Sequence, residues 1–188
     1  MFIQTEETPN PLTLKFIPGI EILKEGTLEF KNLDEAKTNL LANELFKTGK
    51  VSNIFLGQDF ISITKISDSD WEHIKPNFLS IIMNFFSSGG NLDSQENVKS
   101  PKKENIKYTK KELEIVEKIK DLIDQRVKPA VAQDGGDISF VSFKKGVVFL
   151  ELQGACSGCP SSTMTLKSGI ENMLKYYVPE VQSVEPVN

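Results

Sequence analysis

Apolar and polar residues alternate in four short stretches of the N-terminal half, which is the pattern of half-buried β-strands. The four predicted strands are Leu12–Phe16, Thr27–Phe30, Val51–Leu56 and Phe60–Ile66. The last two flank a short turn at Gly57-Gln58-Asp59, so we expect them to form a hairpin.

Two stretches of the same half have apolar residues at helical spacing. The first runs from Asp34 to Phe46, with Asp34 as the expected N-cap and Gly49 beyond the C-terminal end, and the second runs from Asp70 to Phe86. Together with the strands they predict the order β-β-α-β-β-α. We expect the large aromatic residues of this half to form its core rather than bind a cofactor.

A polar stretch without aromatic residues follows, at residues 89–107. Gly, Ser, Asn, Lys and Pro dominate it, so it cannot bury enough apolar surface to offset the entropy lost on ordering. We therefore predict a flexible linker that joins two small domains, residues 1–88 and residues 108–188.

The C-terminal half opens with a predicted helix. Thr109 and Glu112 have the spacing of a capping box, and apolar residues recur at helical spacing until Pro129, where the helix is expected to end. The adjacent Gly135 and Gly136 predict a tight turn with positive φ.

Three strands and a second helix complete this half. The predicted strands are Ile138–Phe143, Val147–Leu152 and Val181–Val187. The first two form a hairpin, and Ser161 or Ser162 is the expected N-cap of a helix that ends before Pro179. The order is α-β-β-α-β, so the whole chain is predicted to be an α+β protein with two small α/β-sandwich domains.

Charge and hydropathy exclude some functions. The chain has 188 residues, 22 Lys and Arg, 26 Asp and Glu, and a net charge of -4, so it has no overall basic field for nucleic acid. The apolar stretches are too short to span a bilayer, and the N-terminus resembles neither a secretory signal nor a transit peptide. These features predict a soluble protein without membrane insertion, located in the bacterial cytoplasm or, if eukaryotic, in the mitochondrial matrix.

The candidate chemistry lies in the loop before the second helix of this half. Cys156 and Cys159 are the only two cysteines of the chain, and a C-x-x-C spacing brings two sulfurs close enough for one metal centre or one disulfide. The N-terminus of the following helix is expected to favour thiolates and to lower the cysteine pKa values. Pro160 suits the first turn of that helix.

Three functions are compatible with this pair of thiols. Zinc requires four ligands, so it would have to bridge two chains, because the single histidine, His73, belongs to the other half. A thioredoxin-like dithiol oxidoreductase has its C-x-x-C motif near a βαβ pattern. Here a helix and a hairpin are predicted before the cysteine loop instead. An iron–sulfur cluster takes four cysteine thiolates, which two copies of the loop would supply. A cluster held between two subunits is released when they separate, so this site suits delivery.

Two motifs give the chain a clear resemblance. It resembles the NifU/Nfu family of iron–sulfur scaffold and carrier proteins through DGGD at Asp134 to Asp137 and G-x-C-x-x-C-P-S-S at Gly154 to Ser162. The opening TEETPNPLTLKFIPG is similar to the Nfu N-terminal domain. From the residues alone, the two aspartates are expected to bond local backbone N–H groups in the turn rather than bind iron.

The resemblance implies a specific function. A [4Fe-4S] cluster would be bound by Cys156 and Cys159 from each subunit of a homodimer, with [2Fe-2S] or zinc as alternatives that use the same sulfurs. The cluster would come from an upstream assembly scaffold and pass to apo-proteins such as lipoate synthase and respiratory-chain subunits. The protein would not be an enzyme. Its N-terminal domain, which has no cysteine, would contact partners or position the cluster domain.

Overall fold

The computed structural model describes residues 2–92, 108–157 and 160–187. The chain divides between residues 98 and 99 into two compact units, each with its own hydrophobic core. Most of the predicted linker lies outside the described residues. Leu92, which falls within the predicted linker range, is only 2% exposed and belongs to the N-terminal core, so the packed part of this unit extends beyond residue 88.

The N-terminal unit contains a five-stranded sheet in which all neighbouring strands are antiparallel. Its strands are β1 (Gln4–Glu7), β2 (Thr13–Ile17), β3 (Leu28–Phe30), β4 (Val51–Leu56) and β5 (Ile61–Lys65). They lie in the order β1-β2-β5-β4-β3. The four predicted strands and the hairpin of β4 with β5 are confirmed.

The prediction missed β1, the edge strand. Its sequence, QTEE, has no apolar residue and therefore no alternation to detect. It is held by backbone pairing with β2, where Glu6 lies opposite Lys15 and forms an ion pair at 3.5 Å. A short charged strand is typical of a sheet edge, because it discourages pairing with other chains.

Two helices cover the sheet: α1 (Leu40–Lys47) and α2 (Trp71–Ser87). The predicted N-cap of the first was wrong, because a 3₁₀ helix occupies Glu35–Thr38 and α1 starts only after Asn39. The Asn39 side chain accepts a hydrogen bond from the N–H of Ala42 at 2.9 Å, whereas Asp34 makes no side-chain cap. Gly49 has a φ of 69°, as expected beyond a helix end.

The second helix of this unit begins as predicted. Asp70 caps α2 by accepting from the N–H of Glu72 at 3.3 Å. The helix buries Phe78 against Phe16 of β2, with the two ring centroids 6.5 Å apart in an edge-to-face arrangement. Both rings are 0% exposed, so the predicted aromatic core is confirmed at these positions.

The C-terminal unit starts with α3 (Lys110–Leu122), and its capping box is confirmed: the Thr109 N–H donates to Glu112 Oε2 at 2.8 Å and the Glu112 N–H donates to Thr109 Oγ1 at 3.3 Å. The predicted end at Pro129 was wrong. A π-helical segment, Ile123–Val127, is followed directly by α4 (Lys128–Gln133). Pro129 lies in the first turn of α4, where its fixed φ suits a helix.

The sheet of this unit has three strands: β6 (Gly136–Lys144), β7 (Val147–Gly154) and β8 (Ser183–Val187). β6 and β7 form the predicted hairpin, with positive φ at both Lys145 and Gly146 in the turn. β8 pairs with β7 in parallel, which requires a crossover connection. That crossover is α5 (Pro160–Tyr177). Because α5 begins at Pro160, Ser161 and Ser162 lie within its first turn and not before it.

The predicted α+β class with two small domains is confirmed. The core of the C-terminal unit lies between its helices and one face of its sheet, where Ile119, Ile138 and Leu174 are each 0% exposed. Among the described residues, no helix combines the length and the apolar composition needed to cross a membrane.

Candidate cysteine site

Cys156 lies in the crossover between β7 and α5, two residues after β7 ends. Its side chain is only 6% exposed and packs with the core of the C-terminal unit. Cys159 lies outside the described residues, so the structure defines the surroundings of the first cysteine of the pair.

Four hydrogen bonds brace the backbone around Cys156. The Ala155 N–H donates to the Gly135 carbonyl at 3.1 Å, which ties the loop to the start of β6. Ser157 donates to the Gly154 carbonyl twice, through its N–H at 3.1 Å and its hydroxyl at 3.0 Å. The Thr163 hydroxyl of α5 donates to the Cys156 carbonyl at 3.0 Å. The loop is therefore fixed to the hairpin on one side and to α5 on the other.

Glycines at the open end of the hairpin make this arrangement possible. Gly135 and Gly154 have φ values of 80° and 65°, a left-handed conformation that favours glycine. The prediction of positive φ at Gly136 was wrong, because Gly136 is the first residue of β6 and lies opposite Gly154 in its register. Gly136 has no room for a side chain for a different reason: a Cβ there would lie 2.6 Å from the Gln153 carbonyl oxygen and 2.8 Å from Cys156 Sγ.

The expectation of a lowered pKa is wrong for Cys156. Burial, followed by the carboxylates of Asp134 and Asp137, raises the pKa of the Cys156 thiol from 9.0 to about 12.

The DGGD motif has a second role that sequence reasoning missed. Its local role is confirmed at Asp137, whose side chain accepts from the N–H of Ile138 at 2.8 Å. However, both aspartates lie close enough to Cys156 to act on its charge, Asp137 from β6 and Asp134 from the end of α4. The only sequence signal for this proximity is the pairing of two predicted strands, whose open ends carry DGGD and the cysteine loop.

The remaining candidates lie elsewhere. His73 is an exposed residue of α2, with Nδ1 at 3.8 Å from Asp70 Oδ2, and it belongs to the other unit. Within the described ranges, no three side chains among His, Cys, Asp and Glu form a group that could hold a metal ion.

Comparison with known families places this arrangement in a class. The family described as "Scaffold protein Nfu/NifU N terminal" matches residues 3–89, and the NifU-like domain family matches residues 119–185. The class is thus a two-domain protein in which an Nfu-type N-terminal domain precedes a NifU-like domain that carries the cysteine pair.

Similarity to individual proteins identifies the family. The proteins named "NFU1 iron-sulfur cluster scaffold homolog, mitochondrial" from Drosophila sechellia and Homo sapiens are 46% and 45% identical to this chain, over 190 and 188 residues. The matches cover 100% of this chain and 65% and 72% of the two relatives, so the chain spans about two thirds of their length. This chain belongs to the Nfu family.

Solved structures show a weaker likeness. The solution structure of a NifU-like protein from Saccharomyces cerevisiae matches with a TM-score of 0.47 and 29% identity, over 51% of this chain and 87% of that one. The crystal structure of SAV1430 from Staphylococcus aureus matches with a TM-score of 0.38 and 29% identity, over 44% and 99% of the two chains.

Proposed function

We propose that this protein binds an iron–sulfur cluster through Cys156 and Cys159 of two subunits and transfers it to apo-proteins. The observation that carries the proposal is the braced loop at Cys156. Hydrogen bonds from Ala155, Ser157 and Thr163 hold this cysteine at the junction of hairpin and helix. Metal ligands held by such a frame need little reorganisation on binding. The names of the relatives, which describe iron–sulfur cluster scaffolds, support the same function.

The number of cysteines favours a homodimer. A [4Fe-4S] cluster is commonly held by four cysteine thiolates, and this chain has two cysteines. Two copies related by a two-fold axis supply the full set. A [2Fe-2S] cluster or a zinc ion would use the same four sulfurs, and metal analysis distinguishes these alternatives.

The cluster is best regarded as cargo. A cluster shared between subunits is lost when the subunits separate, so binding and release are coupled to dimerisation. We propose that an upstream assembly scaffold supplies the cluster and that client apo-proteins receive it, with lipoate synthase and respiratory-chain subunits as candidate clients. In this role the protein catalyses no reaction, and it acts in the mitochondrial matrix of a eukaryote or the cytoplasm of a bacterium.

The protonated state of Cys156 adds a requirement. A thiol with a pKa of about 12 carries its proton at neutral pH, whereas a metal binds the thiolate. Loading must therefore release the Cys156 proton, and it should become more favourable as pH rises. The same protonation makes Cys156 a poor attacking thiol at neutral pH, which speaks against a dithiol oxidoreductase in which Cys156 is the nucleophile.

The test is anaerobic reconstitution with iron and sulfide, followed by measurement of iron, sulfide, zinc and solution mass. We expect about two iron and two sulfide per chain in a dimer that a chelator converts to monomer. A metal-free monomer that reduces disulfides would contradict the proposal.

Matched variants locate the site. Cys156→Ser and Cys159→Ser should each abolish cluster binding, because each removes two of the four ligands of the dimer. His73→Ala is the control, since His73 is exposed and lies in the other unit; it should bind the same amount of iron as the unmodified chain.

A further inference from the structure

We infer that Gly136 is a positioning residue for Cys156: the absence of a side chain at Gly136 creates the space in which the Cys156 sulfur rests. For its consequence in cluster binding, this inference rests on the proposed function. The placement of the sulfur itself can be tested on the apo-protein.

The geometry is a close approach across the end of the hairpin. A Cβ on Gly136 would lie 2.8 Å from Cys156 Sγ and 3.3 Å from Cys156 Cβ. Contacts below about 3 Å between such atoms are strongly repulsive, so the sulfur occupies the place where a side chain would begin. Gly136 is buried, and the core leaves little room for either group to move.

Space rather than backbone conformation explains this glycine. Gly135 and Gly154, its neighbours in the chain and across the hairpin, have positive φ, but Gly136 does not. An alanine at Gly136 would therefore have an allowed backbone conformation, and its cost would come from contacts. One of these is with the Cys156 side chain, and the other is with the Gln153 carbonyl at 2.6 Å.

The consequence for function follows from the bracing of the loop. The backbone of Cys156 is tied to β6 and to α5, so its sulfur can be moved mainly by rotation of its own side chain. Gly136 leaves open the orientation that points the sulfur toward β6. A larger residue at Gly136 would turn the sulfur away from this position and misplace the first of the proposed ligands.

The first experiment measures this orientation without any metal. Apo full-length protein is alkylated with iodoacetamide under reducing, native conditions, and modification of Cys156 and Cys159 is followed separately by peptide mass spectrometry. In Gly136→Ala we expect Cys156 to react about tenfold faster than in the unmodified chain, which corresponds to about 1.4 kcal/mol. Gly169→Ala is the matched control, because a Cβ at Gly169 meets nothing within 4 Å. An unchanged Cys156 rate in folded Gly136→Ala would overturn the inference.

A double variant covers the case in which Gly136→Ala does not fold. Combining it with Cys156→Ala removes the sulfur and leaves the contact with the Gln153 carbonyl. If the sulfur contact is responsible, the double variant should regain a cooperative thermal transition by circular dichroism. If the double variant is as unfolded as Gly136→Ala, the strain lies in the backbone and the inference is wrong.

The third measurement connects the position of the sulfur to cluster binding. After reconstitution, Gly136→Ala should lose iron to a chelator at least about tenfold faster than Gly169→Ala, the range expected when a ligand is misoriented. If Gly136→Ala retains iron as well as Gly169→Ala while Cys156→Ser binds none, the positioning role fails and the proposed function stands. If Cys156→Ser also retains its iron, the proposed function fails as well.

Discussion

The two units of this protein use their sheets in different ways. The N-terminal sheet has five strands that pair only antiparallel, and this unit contains no cysteine. The C-terminal sheet has three strands, and its last strand, β8, is parallel to β7. The chain therefore has to cross from one end of this sheet to the other, and α5 makes that connection.

The difference explains where the candidate chemistry lies. In the C-terminal unit the chain leaves β7, forms the cysteine loop and enters α5, so the loop is held between two rigid elements. The hydrogen bonds of Gly135 and Thr163 fasten it from both sides. A parallel pair with its crossover helix thus provides a braced position for a loop. In the N-terminal sheet all neighbouring strands are antiparallel, and such pairs require no crossover helix.

The strongest test of this comparison is to separate the units. Residues 93–188 should bind as much iron and sulfide per chain as the full-length protein, because this fragment contains both cysteines. Residues 1–92 should bind none. The cut follows Leu92 because this residue is buried in the N-terminal core. We expect the fragment of residues 93–188 to deliver its cluster more slowly than the full-length protein to some clients, measured by activation of apo-proteins. Loss of binding by residues 93–188 would refute the division of labour.

A core truncation tests whether the two cores are independent. Phe16→Ala should lower the unfolding free energy of the N-terminal unit by about 3–5 kcal/mol, since Phe16 is 0% exposed and contacts Phe78. Trp71, the only tryptophan, has its ring 6.2 Å from Phe78 and reports on this unit by fluorescence during urea unfolding.

The matched control for this truncation is Leu174→Ala, in the core of the C-terminal unit. It should leave the urea midpoint of the Trp71 signal unchanged. An equal shift of that midpoint in both variants would show that the two units unfold together.

The protonation of Cys156 predicts an alkaline pH dependence for the C-terminal unit. The folded-state pKa of about 12 exceeds the value of 9.0 for the free thiol, so the stabilisation is complete below pH 9 and is lost as pH rises toward 12. Between pH 8 and pH 10 the C-terminal unit of the unmodified protein should lose about 1 kcal/mol more unfolding free energy than that of Cys156→Ser, which has no thiol at position 156. Urea unfolding at the two pH values measures this difference, and equal losses would exclude a raised pKa.

The smallest expected effect concerns the outer surface of the crossover helix. Gly169 lies within α5, and a Cβ there would meet nothing within 4 Å. Gly169→Ala should therefore raise the unfolding free energy of the C-terminal unit by about 0.5–1 kcal/mol, because alanine loses less conformational entropy than glycine when a helix forms. A loss of stability, seen by calorimetry, would indicate that α5 is distorted near this residue.

Local signals in the sequence predicted most of the elements correctly. The capping box at Thr109 and the N-cap at Asp70 depend on contacts within one turn, so the sequence alone contains the required information. The same is true of the hairpin turn at Lys145-Gly146 and of the alternation in β4 and β7. The cysteine spacing is equally local, and it marks this loop as the candidate site.

The errors have two sources: a strand that depends on a distant partner, and local irregularities in the helices. β1 has no hydrophobic pattern, and it forms because its backbone pairs with that of β2. Asn39 instead of Asp34 caps α1, because a 3₁₀ turn precedes this helix and delays its start. The π-helical segment changes the hydrogen-bond register before Pro129, so the chain continues in α4 beyond the residue expected to end the helix.

The properties of Cys156 show the same division most clearly. By itself the sequence determined that two thiols lie three positions apart between a strand and a helix, since this depends only on local order. Only the tertiary structure decided that Cys156 is buried, faces Gly136 and lies near Asp134 and Asp137. The physical reason is that desolvation and charge act through space, and the pairing of β6 with β7 sets those distances.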